Sequence, residues 1–501
     1  MSTAASTTAP TDGRTFMGHP RGLATLFFTE MWERFSYYGM RALLVLFMTE
    51  ATVSANPGFG LDIADAAAIY GLYTSLVYLL ALPGGWVADQ LWGQRKAIFV
   101  GGCIIAAGHF SMAIPTRQTF FLGLALVCIG TGLLKPNVST IVADLYPEGG
   151  ARRDAGFSVF YMGINLGSFL GQVLVPLLGE GYKWHWGFSA AGLGMVLGLI
   201  QYRRGYAHLG TAGELRTSDS AETLAARERR AYGVFGAVIL GLVAFAYLVS
   251  NGTIPLTLTQ IAQGLGSVIL VIVAVFFLYL HFFGGHTVEE KKKIWVIFWF
   301  FVLSAVFWSG FEQAGSSLNL FARDFTDRTI GALEYPAGLL QSVNAFFIII
   351  FAPIFGSVWL WLAKRNANPS TPLKMALGLL LLAAGFLVIS WGAVNASGEN
   401  PASASWLVVM YFLHTTGELT LSPIGLSAVT KLAPVRRVGQ MMGIWFVATA
   451  LGNLFAGLVA GSLETLPPAP LFRTVAIIIG GVGLVALVAS PVVKRMMGDV
   501  K

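Results

Sequence analysis

Residues 30–41 read Glu30-Met31-Trp32-Glu33-Arg34-Phe35-Ser36-Tyr37-Tyr38-Gly39-Met40-Arg41, inside an apolar segment that runs roughly from Leu23 to Met48. A segment of that length and character is a membrane-spanning helix. Two acids and two bases within it cost about 2.5–3.5 kcal/mol each on insertion scales. They are tolerable only where they face a bundle interior or a wet cavity and pair with one another. Glu30 and Arg34 are four residues apart, so Glu30, Glu33 and Arg34 lie on neighbouring parts of one helical face. Arg41 follows two turns beyond Arg34, with Tyr37 and Tyr38 between them. This charged, hydroxyl-bearing stripe reads as a binding and proton-coupling surface.

The rest of the chain agrees with a membrane setting. Of 501 residues, 55% are hydrophobic and only 11% are charged, against about 25% charged in ordinary soluble proteins. The net charge of +7 does not indicate nucleic acid, because the bases flank hydrophobic spans. Cys103 and Cys128 lie in apolar runs and read as small buried hydrophobes rather than disulfide or metal ligands. The first 13 residues are polar and lack the regions of a signal peptide.

Fourteen candidate spans begin near Leu23, Ala64, Ala97, Phe120, Gly156, Trp186, Tyr232, Leu258, Ile294, Ala337, Leu373, Ala404, Val438 and Leu471. With both termini cytoplasmic, 24 of the 32 Lys and Arg residues fall in inner loops and tails, five in outer loops and three within spans. The excess of cytoplasmic bases in membrane proteins supports that orientation and predicts a multi-pass protein of the cell (inner) membrane. The polar stretch 205–231 divides the chain. The expected layout is a cytoplasmic tail (1–20), a six-helix bundle (21–204), a cytoplasmic linker (205–231), a lipid-facing two-helix insertion (232–285), a second six-helix bundle (286–495) and a short tail (496–501). A 6 + 2 + 6 arrangement suits a secondary transporter with its site between the halves. No phosphate-binding loop of the Gly-rich, Gly-Lys-Ser/Thr type is present, which points to an ion gradient rather than ATP.

Gly85, Asp89, Gly93, Arg95 and Lys96 have the spacing of a loop signature that resembles that of the major facilitator superfamily, where it would act as a cytoplasmic latch. Asp89 is expected to cap a helix or pair with Arg95. Lys135, followed by Pro136 and Asn137, is a mid-membrane base that needs a carboxylate partner. Asn165 is a buried amide. Trp308 and Glu312 share one helical face, and Glu312 and Arg41 both fall near outer helix ends, where they are expected to form a gate. Glu418 is the only acid in its span, with Asn344 and Trp445 in neighbouring ones. A cleft basic on one wall and acidic on the other suits a zwitterion, which does not by itself separate peptides from amino acids. Glu418 argues against a bare anion such as nitrate; export of cationic compounds remains a rival. An enzyme is not expected: His109, His185, His281, His286 and His414 have no evident Ser or Cys partner on a shared face.

Glu30-x-x-Glu33-Arg34-Phe35-x-Tyr37-Tyr38-Gly39 resembles the signature of proton-dependent oligopeptide transporters. Phe160-Tyr161-x-x-Ile164-Asn165-x-Gly167, Lys135-Pro136-Asn137, Glu312-Gln313 and Gly417-Glu418-Leu419 are similar to that family as well. The resemblance implies an all-α major facilitator fold with fourteen transmembrane helices. It also implies proton-driven import of di- and tripeptides by alternating access, with no cofactor beyond the proton, by a protein acting as a monomer. It would place the peptide carboxylate on Arg34, Tyr38 and Lys135, and the amino terminus on Asn165, Asn344 and Glu418. Glu30 and Glu33 would couple the proton, with Arg34 and Lys135 as partners. Arg41 with Glu312 would gate the outside, and Tyr37, Tyr78, Trp308 and Trp445 would line the pocket. Two positions depart from the family: Gly71 stands where some relatives carry a His, and Ala345 where a Pro is common.

Overall fold

The charged segment folds as one uninterrupted helix, α1 (Arg21–Thr49), in a computed structural model that describes residues 15–498. The expected tails therefore lie partly outside the described residues. The remaining long helices are α2 (Ile63–Trp92), α3 (Gln94–Met112), α4 (Arg117–Asp144), α5 (Gly150–Gly179) and α6 (Trp184–Gly205). Then come α7 (Ala221–Ser250), α8 (Leu258–Phe283), α9 (Val288–Asp324), α10 (Ala337–Lys364), α11 (Thr371–Gly392), α12 (Ser405–Leu432), α13 (Val435–Glu464) and α14 (Pro468–Met496). Ten of these are long and apolar enough to cross a membrane by composition alone. α1 is not among them, since it carries four charged residues in its middle. Fourteen passes put the start of α1 and the end of α14 on one face, called here the near face.

Local chemistry sets several helix ends. Thr257 and Thr287 form reciprocal capping boxes with Gln260 and Glu290 at the starts of α8 and α9, which satisfies otherwise unpaired N–H groups. α2 is interrupted: its first part ends at Leu79, and a short helix follows from Ala81. Pro83 lies at that break, where it lacks an N–H and its ring crowds the preceding turn. α9 narrows to a tighter turn at Glu312–Gly315. The α9 break is wholly buried, so its irregular backbone is surrounded by protein rather than lipid, whereas Leu82 and Pro83 at the α2 break are exposed.

α1 packs on α5 and α6, and α3 on α4 and α6, forming one bundle. α11 packs on α12 and α14, and α9 on α13 and α14, forming the second. The bundles meet along α2 with α13 and α5 with α10. α8 lies against α2 and α13. The most apolar stretch of α7 has no buried residue; its start touches the end of α2 through a 2.9 Å hydrogen bond from Trp92 Nε1 to Tyr232 Oη.

Candidate functional site: a cavity between the bundles

The stripe on α1 is buried as its spacing requires, with Glu30 3%, Glu33 0% and Arg34 3% exposed. Arg34 Nε lies 2.8 Å from Glu30 Oε1 and 2.7 Å from Glu33 Oε2, so two carboxylates share one guanidinium. Arg34 Nη2 and both Glu33 oxygens have no hydrogen-bond partner among the described residues. Lys135 departs from expectation. Its ammonium stands 3.5 Å from the centroid of the Tyr78 ring and forms no ion pair with Glu30 or Glu33 among the described residues. Arg34 already occupies the glutamates, and the face of a tyrosine offers Lys135 a substitute for a counter-charge.

Two turns along α1, Arg41 Nη1 and Glu312 Oε2 are 2.5 Å apart, at 4% and 3% residue exposure. Tyr70 Oη of α2 donates to the Glu312 backbone carbonyl at 3.1 Å, and Arg41 lies over the Tyr38 ring at 5.0 Å. The break in α9 at Glu312 is what turns this carboxylate toward α1. The pair stands toward the far face, where further contacts join the bundles. Asn319 Nδ2 donates to the Ala42 carbonyl at 2.8 Å, Arg323 Nη1 to Thr49 Oγ1 at 2.8 Å, and Glu180 receives backbone N–H groups at the start of α10. The far side is thus closed.

Beneath the Arg41–Glu312 pair lies a cavity of about 110 Å³. Tyr38, Arg41, Tyr78 and Asn165 face it from the first bundle, and Trp308, Glu312, Asn344 and Glu418 from the second. Asn344 Nδ2 donates to Thr415 Oγ1 at 2.8 Å and to Glu418 Oε2 at 3.4 Å, which holds the acid toward the cavity. Asn165 Nδ2 donates to the Tyr161 carbonyl of its own helix at 2.9 Å, leaving its oxygen to the interior.

Four of the residues expected to hold or line the peptide are not on the cavity wall. Arg34 lies 5.8 Å from the Tyr37 ring centroid, and Lys135 stands against the Tyr78 ring. Tyr37, one residue round the helix from Tyr38, turns into the bundle and stacks on Tyr73 at 6.2 Å. Trp445 is core: its ring fills the space left by Gly425 of α12. Sequence reasoning missed Tyr161, Tyr411, His414, Gln172 and Gln341 as wall residues. Tyr161 lies four residues before Asn165, a spacing that could have found it. Gln341 precedes Asn344 in a turn the sequence pattern does not announce.

The Gly85–Lys96 loop is also wired differently. Asp89 accepts from Gln94 Nε2 at 2.8 Å rather than from Arg95. Arg95 instead grips the linker, donating to the Ala212 carbonyl at 2.6 Å, to Gly210 and to Glu214 Oε1 at 3.2 Å. Gly93 has φ +74°, and a Cβ there would meet Leu215 N at 2.6 Å, so only glycine lets the linker pass so close. Lys96 stands 5.1 Å over the Trp92 ring, and Gly85 faces open space.

Two helical bundles around a polar central cavity, closed at one end by a buried ion pair, define a membrane transporter of the major facilitator type. The chain belongs to the POT family, whose model matches residues 95–474. It is 42% identical to the peptide transporter YePEPT of Yersinia enterocolitica subsp. palearctica serotype O:3 (strain YE-P4), over 99% of this chain and 98% of that one. It is 35% identical to a di-/tripeptide transporter of Lactococcus lactis subsp. lactis (strain IL1403), over 97% and 98%. Among solved structures, it resembles a peptide transporter POT in complex with sulfate, with a TM-score of 0.87 and 38% identity over 97% of both chains. It also resembles a mutant of a peptide transporter POT in complex with alafosfalin, with a TM-score of 0.86 and 39% identity over 97% of both.

Proposed function

We propose that this chain is a proton-coupled symporter that imports di- and tripeptides by alternating access. The observation that carries the reading is a cavity whose polar walls come separately from the two bundles. Arg41, Tyr38 and Asn165 face Glu418, Asn344 and Glu312 across it. A zwitterion that bridges such walls draws the bundles together, and the relatives named above are peptide transporters. The near face is cytoplasmic, as the Lys and Arg distribution supports, which places both termini inside the cell.

The peptide ammonium binds Glu418, steadied by Asn344. Its carboxylate binds on the opposite side, where Tyr38 and Tyr78 line the cavity and Lys135 stands against the Tyr78 ring. Glu30 and Glu33 share one guanidinium, so a proton taken by either carboxylate from outside loosens Arg34 for the peptide. Lys135, held by a ring rather than an acid, is free to join it. Loss of the proton to the cytoplasm restores the Glu–Arg contacts and expels the carboxylate. The scheme needs no bound cofactor and no second subunit; the proton, the peptide and the bilayer are the partners, and no covalent chemistry is involved.

The test is transport in proteoliposomes. An inward proton gradient should drive accumulation of a labelled dipeptide, and unlabelled di- and tripeptides should compete. Glu33→Gln should abolish gradient-driven accumulation and spare counterflow. Flux indifferent to both gradient and peptide overturns the reading; intact gradient-driven uptake in Glu33→Gln removes Glu33 from the coupling role.

A further inference from the structure

At the near face of the second bundle, four helices leave a basin of about 620 Å³. Its walls are the end of α10, the first turn of α11, one face of α12 from Pro423 to Lys431, and the end of α14. Lys374, Lys431 and Lys494 reach these walls, together with Ser370, Thr371 and Ser427; no Asp or Glu does so among the described residues.

Two of the lysines have a local explanation. Lys431 and Lys494 lie in the last turns of α12 and α14, where a cation complements the carbonyl end of a helix. Lys374 does not. It lies four residues after Ser370, the cap residue of α11, at the end where the helix presents its N–H groups and disfavours a cation. It is nevertheless 7% exposed. Its Nζ rests 4.1 Å from the centroid of the Trp359 ring and has no ion pair or hydrogen bond among the described residues. The Ser370 side chain makes no capping bond to the first turn. A buried ammonium and a helix start without a side-chain cap thus face one basin that no Asp or Glu lines among the described residues, and both are complemented by an anion.

We propose that this basin binds a phosphate group, with Lys374 as its defining contact. The group comes from an anionic phospholipid headgroup or from soluble phosphate. The depth suits a headgroup: Trp361 on α10 is 51% exposed and lies under Arg365 at 4.0 Å, the aromatic-plus-cation pairing of a membrane–water interface. Because α10 and α12 also carry Asn344 and Glu418, a ligand here braces the near-face ends of two cavity helices.

The full-length chain is titrated with phosphatidylglycerol or phosphatidylcholine in mixed micelles, with retained lipid counted by native mass spectrometry. Inorganic phosphate is titrated separately against chloride at matched ionic strength, with thermal unfolding as the readout. The expected result is preferential retention of phosphatidylglycerol, a several-fold loss in Lys374→Gln, and recovery in Lys374→Arg. Lys494→Gln should weaken binding independently, which keeps the test valid if Lys374→Gln fails to fold. Displacement of phosphatidylglycerol by inorganic phosphate assigns a soluble source, and retention against it assigns the lipid; both uphold the site. Equal retention of the two lipids with no phosphate response overturns it. So does native-like binding in both variants. Binding that emerges only in Asp499→Asn also overturns it, by assigning the basin to a carboxylate of the chain itself.

Discussion

Glu180 Oε1, at the end of α5, lies 2.5 Å from the backbone nitrogen of Ala337 at the start of α10, and its Oε2 lies 3.1 Å from that of Gly338. A carboxylate of the first bundle therefore caps a helix of the second. Arg328 Nη1 stands 3.5 Å from the same carboxylate. Since α10 also carries Asn344, this corner ties far-face closure to the placement of a cavity residue.

Burial raises the Glu180 carboxyl above its ordinary value, although the two N–H groups, Arg328 and Arg323 pull the other way. Opening the far face would return it to water. The closed arrangement therefore holds a proton more tightly than the open one, and closure at this corner is favoured as pH falls through the closed-state value. A thiol placed at Ser54, in a background with Cys103 and Cys128 replaced, should label several-fold more slowly at pH 5 than at pH 7 after each rate is divided by that of a free thiol at the same pH, since the thiolate fraction itself falls with pH. Glu180→Gln should flatten that difference.

The Arg41–Glu312 pair is buried on both sides. Removing one partner of such a pair leaves an uncompensated charge, at a cost of about 3–5 kcal/mol. Arg41→Ala and Glu312→Gln should each weaken far-face closure and cut gradient-driven uptake by about tenfold or more, since 1.4 kcal/mol is already tenfold. The exchanged pair Arg41→Glu/Glu312→Arg should recover part of the loss. Equal uptake in all three variants would remove the pair from the gate.

At Gly71, α2 packs backbone to backbone against α13. A Cβ there would lie 3.0 Å from the Leu454 carbonyl oxygen and 3.1 Å from the Gly457 Cα. Both obstacles are backbone, so the helices themselves must part. Gly71→Ala should cost about 1–3 kcal/mol, the usual range for overpacking, read as a lower unfolding temperature. Gly71→His should cost more.

Arg95 holds the segment from Gly210 to Glu214 against the first bundle. Hydrogen bonds to charged groups contribute about 1.5–3 kcal/mol. Arg95→Ala should speed tryptic cleavage at Arg216 while changing peptide uptake much less.

The charged stripe, the mid-span acids and the loop signature were legible because a charge in an apolar run stands out without any knowledge of neighbours. Period alone put Glu30, Glu33 and Arg34 on one face. It could not say that Tyr37 turns toward Tyr73 while Tyr38 turns toward the cavity, because a wall is defined by what stands opposite. Trp445 looked like a pocket residue for the same reason; Gly425, twenty residues earlier on another helix, decides that it is packing.

The sequence by itself determined the membrane setting, the fourteen helices, the two-bundle layout and the family, since hydropathy, loop charge and local motifs are properties of contiguous residues. Tertiary structure alone decided which charges meet. It gave Arg34 to two carboxylates, Lys135 to the Tyr78 ring, Arg41 to Glu312 and Arg95 to the linker. Those partnerships depend on the breaks in α2 and α9 and on the close approaches at Gly71 and Gly93. Ion pairing in a low-dielectric interior falls off within a few ångströms, a distance set by how the helices pack.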